Sequence, residues 1–245
     1  MSLVSKYLLI PVILVCCPMW IMGQNKASVL KIRVLPVFGN VALELNGPFY
    51  HLNKKDSVKI KTLKFYLSNL EFEAESGKIF FEKNSYHLID AEEIETTEFN
   101  VTIENADYIS FSCGIGVDSV KNTAGILSGD LDPVKGMFWA WNTGYIAAKL
   151  EGVSPLCKTK GQEFDFHIGG YMYPFNSYRK MRFQLPVGKF KQGKTTVIEL
   201  FADVSEWLKE VDLKVMNHIV VPGKEAMKMA DNCKAMLKLK SVSTE

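Results

Sequence analysis

Apolar and polar residues alternate along this chain in short runs, and turn residues separate the runs. Leu30, Ile32 and Val34 alternate with Lys31, Arg33 and Leu35, a period of two that predicts a half-buried strand. Val41 to Leu45 follows, closed by the turn residues Asn46-Gly47-Pro48. Val58 to Phe72 predicts one long strand or a strand pair, with Leu63, Phe65 and Leu67 facing one way. Shorter runs continue at 77–81, 86–89, 99–103 and 108–115. Beyond a polar, glycine-rich stretch come 137–141, 145–150, 164–168, 181–185 and 195–201. Helical signals are confined to the last part of the chain. Ser205 is a candidate cap for a short helix through Trp207 and Leu208. Pro222 is a candidate start for another, with Ala226, Met229, Ala230 and Cys233 at three- and four-residue spacing. Roughly a dozen short strands without intervening helices predict an all-β fold, a single β-sandwich-like domain with one short C-terminal helix. No linker, low-complexity segment or internal repeat interrupts it, so residues 24–245 read as one domain, a size all-β folds reach.

The first 23 residues stand apart from this pattern. Lys6 supplies a positive start, Tyr7 to Cys17 an apolar run broken only by Pro11, and Gly23 a small residue at the end. That layout predicts a secretory signal peptide over 1–23, too short for a membrane span, and places the mature protein in the periplasm or outside the cell. No integral membrane protein is expected after cleavage. Charge adds little: the formal net charge is +2, with basic and acidic residues interspersed, which gives no footprint for nucleic acid. Three cysteines remain in the mature chain, Cys113, Cys157 and Cys233, without CxxC spacing. An odd count in an oxidising compartment leaves at least one unpaired within the chain, and Cys157 with Cys233 is the expected pair.

The most unusual stretch is Gly116 to Gly152, which holds Trp139 and Trp141. A strand over Met137 to Trp141 would put Met137, Trp139 and Trp141 on one face, and from the pattern alone they read as core aromatics. The Gly116-Val117 dipeptide, Asn122, Leu131-Asp132-Pro133, Gly136-Met137-Phe138-Trp139-Ala140-Trp141 and Gly144-Tyr145 together resemble the signature of the MbnP-like family. Phe65-Tyr66-Leu67-Ser68-Asn69-Leu70, Leu88-Ile89-Asp90 and Phe166-His167-Ile168-Gly169 match further family strands in the same order. The resemblance runs from about residue 29 to 237, and the Trp-x-Trp block is its specific part.

The resemblance implies an exported copper-binding protein. In some members of the family a tryptophan near the metal is oxidised to kynurenine by a partner di-haem peroxidase-like enzyme, and copper is held by histidine and the modified tryptophan. Carried over, His167 is the family histidine this chain keeps, and Trp139 and Trp141 are candidate ligands or modified residues. One departure is plain: Thr123 follows Asn122 where some members carry a histidine.

The residues themselves bear on that expectation. Imidazole suits copper, and the chain has four histidines, His51, His87, His167 and His218, none spaced as a local chelate. His167 shares a strand face with Glu163 and Asp165, opposite Phe164, Phe166 and Ile168. His218, before the Val220-Val221-Pro222-Gly223 turn, is the weaker candidate. Asp130 and Asp132 fall short of the oxygens calcium requires and read as turn formers. No GxSxG, HExxH or phosphate loop is present, and a non-enzyme is expected. Three functions compete. The first is copper binding. The second is a non-catalytic β-sandwich binding module that lost the metal, with Tyr171, Tyr173, Phe175 and Tyr178 available to hold a sugar or a protein. The third is a protein whose tryptophan oxidation is itself the function.

Overall fold

The computed structural model describes residues 27–52, 56–142, 144–190 and 193–245. The expected signal peptide lies outside the described residues. Two sheets carry the fold. The smaller runs in the order Leu237–Thr244, Thr196–Asp203, Ala27–Phe38, Val41–Ala42, with Glu98–Glu104 also pairing to Ala27–Phe38. Ala27–Phe38 is parallel to Thr196–Asp203, Leu30 facing Thr196, and antiparallel to Glu98–Glu104. The larger sheet runs Arg179–Gln184, Tyr108–Ile115, Ser57–Ala74, Gly144–Val153, Glu163–Gly169, His218–Ile219, with four shorter strands attached.

The first strand behaves as its alternation predicts: Leu30, Ile32 and Val34 are fully buried. Ser57–Ala74 is one strand of 18 residues, and its inward parity changes twice. Val58 and Ile60 point into the core, then Leu63, Phe65 and Leu67, then Leu70, Phe72 and Ala74. Each change coincides with a register slip. One is opposite Glu151/Gly152 and the other between Ser68 and Glu71, where Asn69 takes a left-handed φ of 51°. A one-residue slip turns every following side chain to the other face, and Asn tolerates that backbone better than most residues.

The inner faces of both sheets close on one core that contains Leu30, Ile198, Leu63, Phe111, Phe164 and Trp207. A second, smaller core lies on the far side of the larger sheet, where the segment from Val117 to Trp139 packs Leu131 and Met137 over Tyr66, Leu88, Tyr145 and Ile146. That second core positions the site.

Three details differ from expectation. The helix near Trp207 spans Val204–Trp207 and is capped by Asp203, whose carboxylate accepts from Ser205 N at 3.0 Å, rather than by Ser205. The C-terminal helix spans Lys224–Met236 and is followed by the strand Leu237–Thr244, which completes the small sheet. Cys157 and Cys233 do not pair: all three cysteines of the described chain are free and buried, because each sits among apolar core side chains. No helix among the described residues is long and apolar enough to cross a membrane.

Candidate functional site

The strand Glu163–Gly169 lies antiparallel to Gly144–Val153, with Lys149 opposite His167. Phe164, Phe166 and Ile168 enter the main core, and Glu163, Asp165 and His167 take the other face. On that face His167 Nε2 lies 2.7 Å from Glu151 Oε1. Thr62 Oγ1 donates to Glu151 Oε2 at 2.9 Å. The His167 hydrogen bond foremost, with that of Thr62, brings the Glu151 carboxyl down to about 2 against the opposing effect of burial. An ionised carboxylate only accepts, so Nε2 carries the hydrogen and, in the neutral ring, Nδ1 keeps its lone pair.

Two residues beyond His167, and on the same face, is Gly169. Trp139 fills the space above it: a methyl group there would come within 2.6 Å of the indole Cζ3 and 3.0 Å of Tyr145 O. Trp139 is 6% exposed, packed in the second core. Trp141 is 63% exposed. The expected strand over Met137 to Trp141 is only Phe138–Trp139, paired to Gly144–Tyr145, and the chain turns from Ala140 onward. The turn breaks the alternation, so Trp141 does not share the buried face of Met137 and Trp139. The two rings still touch, with centroids 5.4 Å apart and planes at 41°.

The covering segment is bolted down by polar groups of buried side chains. Asn122 Nδ2 donates to Val117 O at 2.7 Å and Asp118 O at 3.2 Å, while its Oδ1 accepts from Tyr145 N at 2.7 Å. Tyr66 and Tyr145 donate to Asp130 O and Leu131 O, both at 2.9 Å. Lys149 Nζ reaches Gly136 O at 2.7 Å. Asp118 caps the helix Ser119–Asn122 and accepts from Tyr86 Oη and, at 3.1 Å, Asn69 Nδ2. Burial opposes its charge, but these bonds prevail and hold its carboxyl below the ordinary range. Asp132 accepts from Val134 N at 3.0 Å within its own turn, and Asp130 accepts from Leu88 N at 3.1 Å across to the sheet.

The remaining candidates are scattered. Thr123 ends its helix, exposed, with Oγ1 donating to Val120 O at 2.9 Å. His218 stands beside Asp165, Nδ1 to Oδ2 3.4 Å, and is largely exposed. His87 bonds Glu82 at 2.8 Å and stacks on Phe99 at 3.7 Å, and His51 is exposed at its own strand. Among the described residues no three His, Cys, Asp or Glu side chains are grouped to hold a metal. His167 suits the role of one ligand, an imidazole oriented through its other nitrogen by a carboxylate. Among the described residues no closed shell of encoded donors forms around it.

Of the aromatic run, Tyr171, Tyr173 and Phe175 line a groove of about 350 Å³ with Trp141, Val221 and Pro222. Tyr178 is elsewhere: its hydroxyl accepts from Asn69 Nδ2 at 3.1 Å, inside the fold. Sequence reasoning missed Glu151 and Gly169. Glu151 sits on a different strand from His167, and only the strand register brings the two together.

Set against known proteins, residues 27–226 match the MbnP family model. The fold is similar to that of MbnP from Methylosinus trichosporium, with a TM-score of 0.52 and 14% sequence identity, over 81% of this chain and 83% of that one. No curated protein matches the chain.

Proposed function

Because the chain belongs to the MbnP family, we propose that it is an exported, copper-associated binding protein, periplasmic or extracellular, without catalysis of its own, and that His167 is its metal-facing side chain. The observation that supports this reading is the Glu151–His167 pair on the face that Trp139 closes. A ligating histidine ordinarily gives its second ring N–H to a carboxylate, and here that leaves Nδ1 for the metal. Imidazole suits copper, which would bring Lewis acidity and one-electron chemistry to this face.

One imidazole makes an open site. On this reading the missing donors come from an oxidised tryptophan, a kynurenine-type group formed by a di-haem peroxidase-like partner. Trp139 is the better candidate of the two, since it sits over Gly169 on the His167 face while Trp141 points into solvent. His218, exposed beside Asp165, is at most a distant contributor.

The test is copper content of the mature chain, residues 24–245, first exposed to the partner enzyme with intact mass recorded before and after, then copper-loaded and desalted, with His167→Ala and Glu151→Gln in parallel. About one copper per chain, lost in His167→Ala, is expected. No retained copper, or retention indifferent to His167→Ala, overturns the reading. A second reading, a binding module without metal, is favoured by a separate observation: the aromatic groove beside Trp141.

A further inference from the structure

We propose that the groove between Trp141, the hairpin Tyr171–Asn176 and the Val221-Pro222 turn binds an uncharged carbohydrate. The proposal deepens the binding-module reading and is independent of copper. After Gly169 the chain turns back on itself at Gly170, whose φ is +119°. A Cβ there would also press on Pro222 Cβ at 3.1 Å, so glycine is what lets the hairpin close against the turn. The concavity that results, about 350 Å³, is within the size range of small-ligand sites.

Three features of the lining narrow the ligand. Large apolar side chains are left in water together: Tyr173 is 97% exposed, and Trp141, Met172 and Val221 are exposed with it. Such a cluster marks recognition when it is contiguous. None of the lining residues carries a charge, so nothing there would neutralise an ionic ligand. The polar tips are uncommitted: the Trp141 indole N–H, the Tyr171 and Tyr173 hydroxyls and the Asn142 amide have no hydrogen-bond partner among the described residues.

A sugar ring answers all three. It presents a flat C–H face for aromatic rings to cover, carries no charge, and surrounds that face with hydroxyls that both donate and accept. The rim likewise holds donors (the indole N–H) and acceptors (the Asn142 carbonyl) beside two hydroxyls that do both. A polyproline segment would use the same aromatic faces, but its backbone offers acceptors alone and would leave the Asn142 carbonyl unmatched.

The test is titration of the mature chain, followed by tryptophan fluorescence and calorimetry, with cellohexaose, chitohexaose and maltohexaose, and with a decaproline peptide as competitor class. Saturable binding of at least one oligosaccharide is expected, weakened about tenfold or more by Trp141→Ala and also by Tyr173→Ala, and unchanged by His167→Ala. Both aromatic side chains are exposed, so the variants keep the fold, which far-UV circular dichroism checks. No oligosaccharide binding at millimolar concentration, binding of decaproline alone, or sugar binding that survives Trp141→Ala overturns the proposal. Copper retention in a protein that binds none of the sugars would overturn it and leave the metal reading standing.

Discussion

Gly169→Ala is the sharpest perturbation of the seat beneath Trp139. The added methyl would meet indole Cζ3 at 2.6 Å and Cη2 at 2.7 Å, with Tyr145 O at 3.0 Å. Carbon atoms prefer about 3.5–4.0 Å, so the ring must retreat by roughly 1 Å. It has nowhere easy to go, since Trp139 belongs to a packed core with Met137, Leu131 and Tyr145. Overpacking of this kind costs about 1–3 kcal/mol. Opposing it, alanine restricts the unfolded chain and returns about 0.4–1 kcal/mol where the backbone suits it. Gly169 is not among the positive-φ residues, so that gain applies. The net expectation is a loss of about 1–2 kcal/mol. Urea unfolding followed by fluorescence measures it, and near-ultraviolet circular dichroism reports the displaced indole. Gly223→Ala, with nothing within 4 Å of the new Cβ and at the N-cap of the C-terminal helix, is the comparison: glycine outranks alanine there, so it should cost about 0.5–1 kcal/mol, but it should leave the near-ultraviolet spectrum unchanged. Adding Trp139→Phe to Gly169→Ala should cost less than the two changes separately, because the smaller ring vacates the contested space. A Gly169→Ala protein as stable as wild type, with an unchanged near-ultraviolet spectrum, would refute the packing argument.

Other expectations follow from the same geometry. Glu151 is depressed from 4.5 to about 2 in the folded chain, so its stabilisation is complete above the ordinary carboxylate value and disappears as pH falls through the folded one. Between pH 4.5 and 2, wild type should lose about 1 kcal/mol more than Glu151→Gln, a figure reduced for the solvent screening of a partly exposed side chain; parallel acid titrations of the two would read it. Trp207 is fully buried and its Nε1 donates to Met229 O at 3.0 Å. Trp207→Phe should therefore cost about 2–4 kcal/mol in urea unfolding, from the cavity and the lost bond together. Burial pushes the Cys113 thiol up to about 12 and raises those of Cys157 and Cys233. A disulfide reagent at pH 8 should find no reactive thiol in the native mature chain and three after unfolding; rapid native labelling would contradict the burial.

Much of the fold was legible because half-buried strands announce themselves by alternation, as Leu30, Ile32 and Val34 do. The long strand shows where that signal fails. Its inward parity changes near Thr62 and again at Asn69, and each change depends on a slip against a neighbouring strand rather than on local pattern. The tryptophan pair was misjudged for a related reason: alternation presumes that the strand continues, and this one ends at Trp139. The closing strand carries its own period of two in Leu237 and Leu239, shifted to Val242 by a bulge against Thr196–Asp203. At the site, His167 and its exposed face could be read from spacing. Glu151 could not, since a carboxylate 16 residues away on another strand leaves no local trace.

The parallel pairing of Ala27–Phe38 with Thr196–Asp203 sets the order in which the molecule can mature. Arg33 bonds Glu199 across 166 residues of chain, and the outer strand of the same sheet ends at Thr244. Ala27–Phe38 meets Val41–Ala42 and Glu98–Glu104 early but its parallel partner Thr196–Asp203 only late, and contacts so distant in sequence form slowly. A nascent chain that has not yet reached Thr196–Asp203 and Leu237–Thr244 has an unfinished small sheet and an open main core. For a protein proposed to leave the cytoplasm, that delay is useful: the polypeptide stays threadable while those two strands are missing, and the small sheet can close on the far side of the membrane.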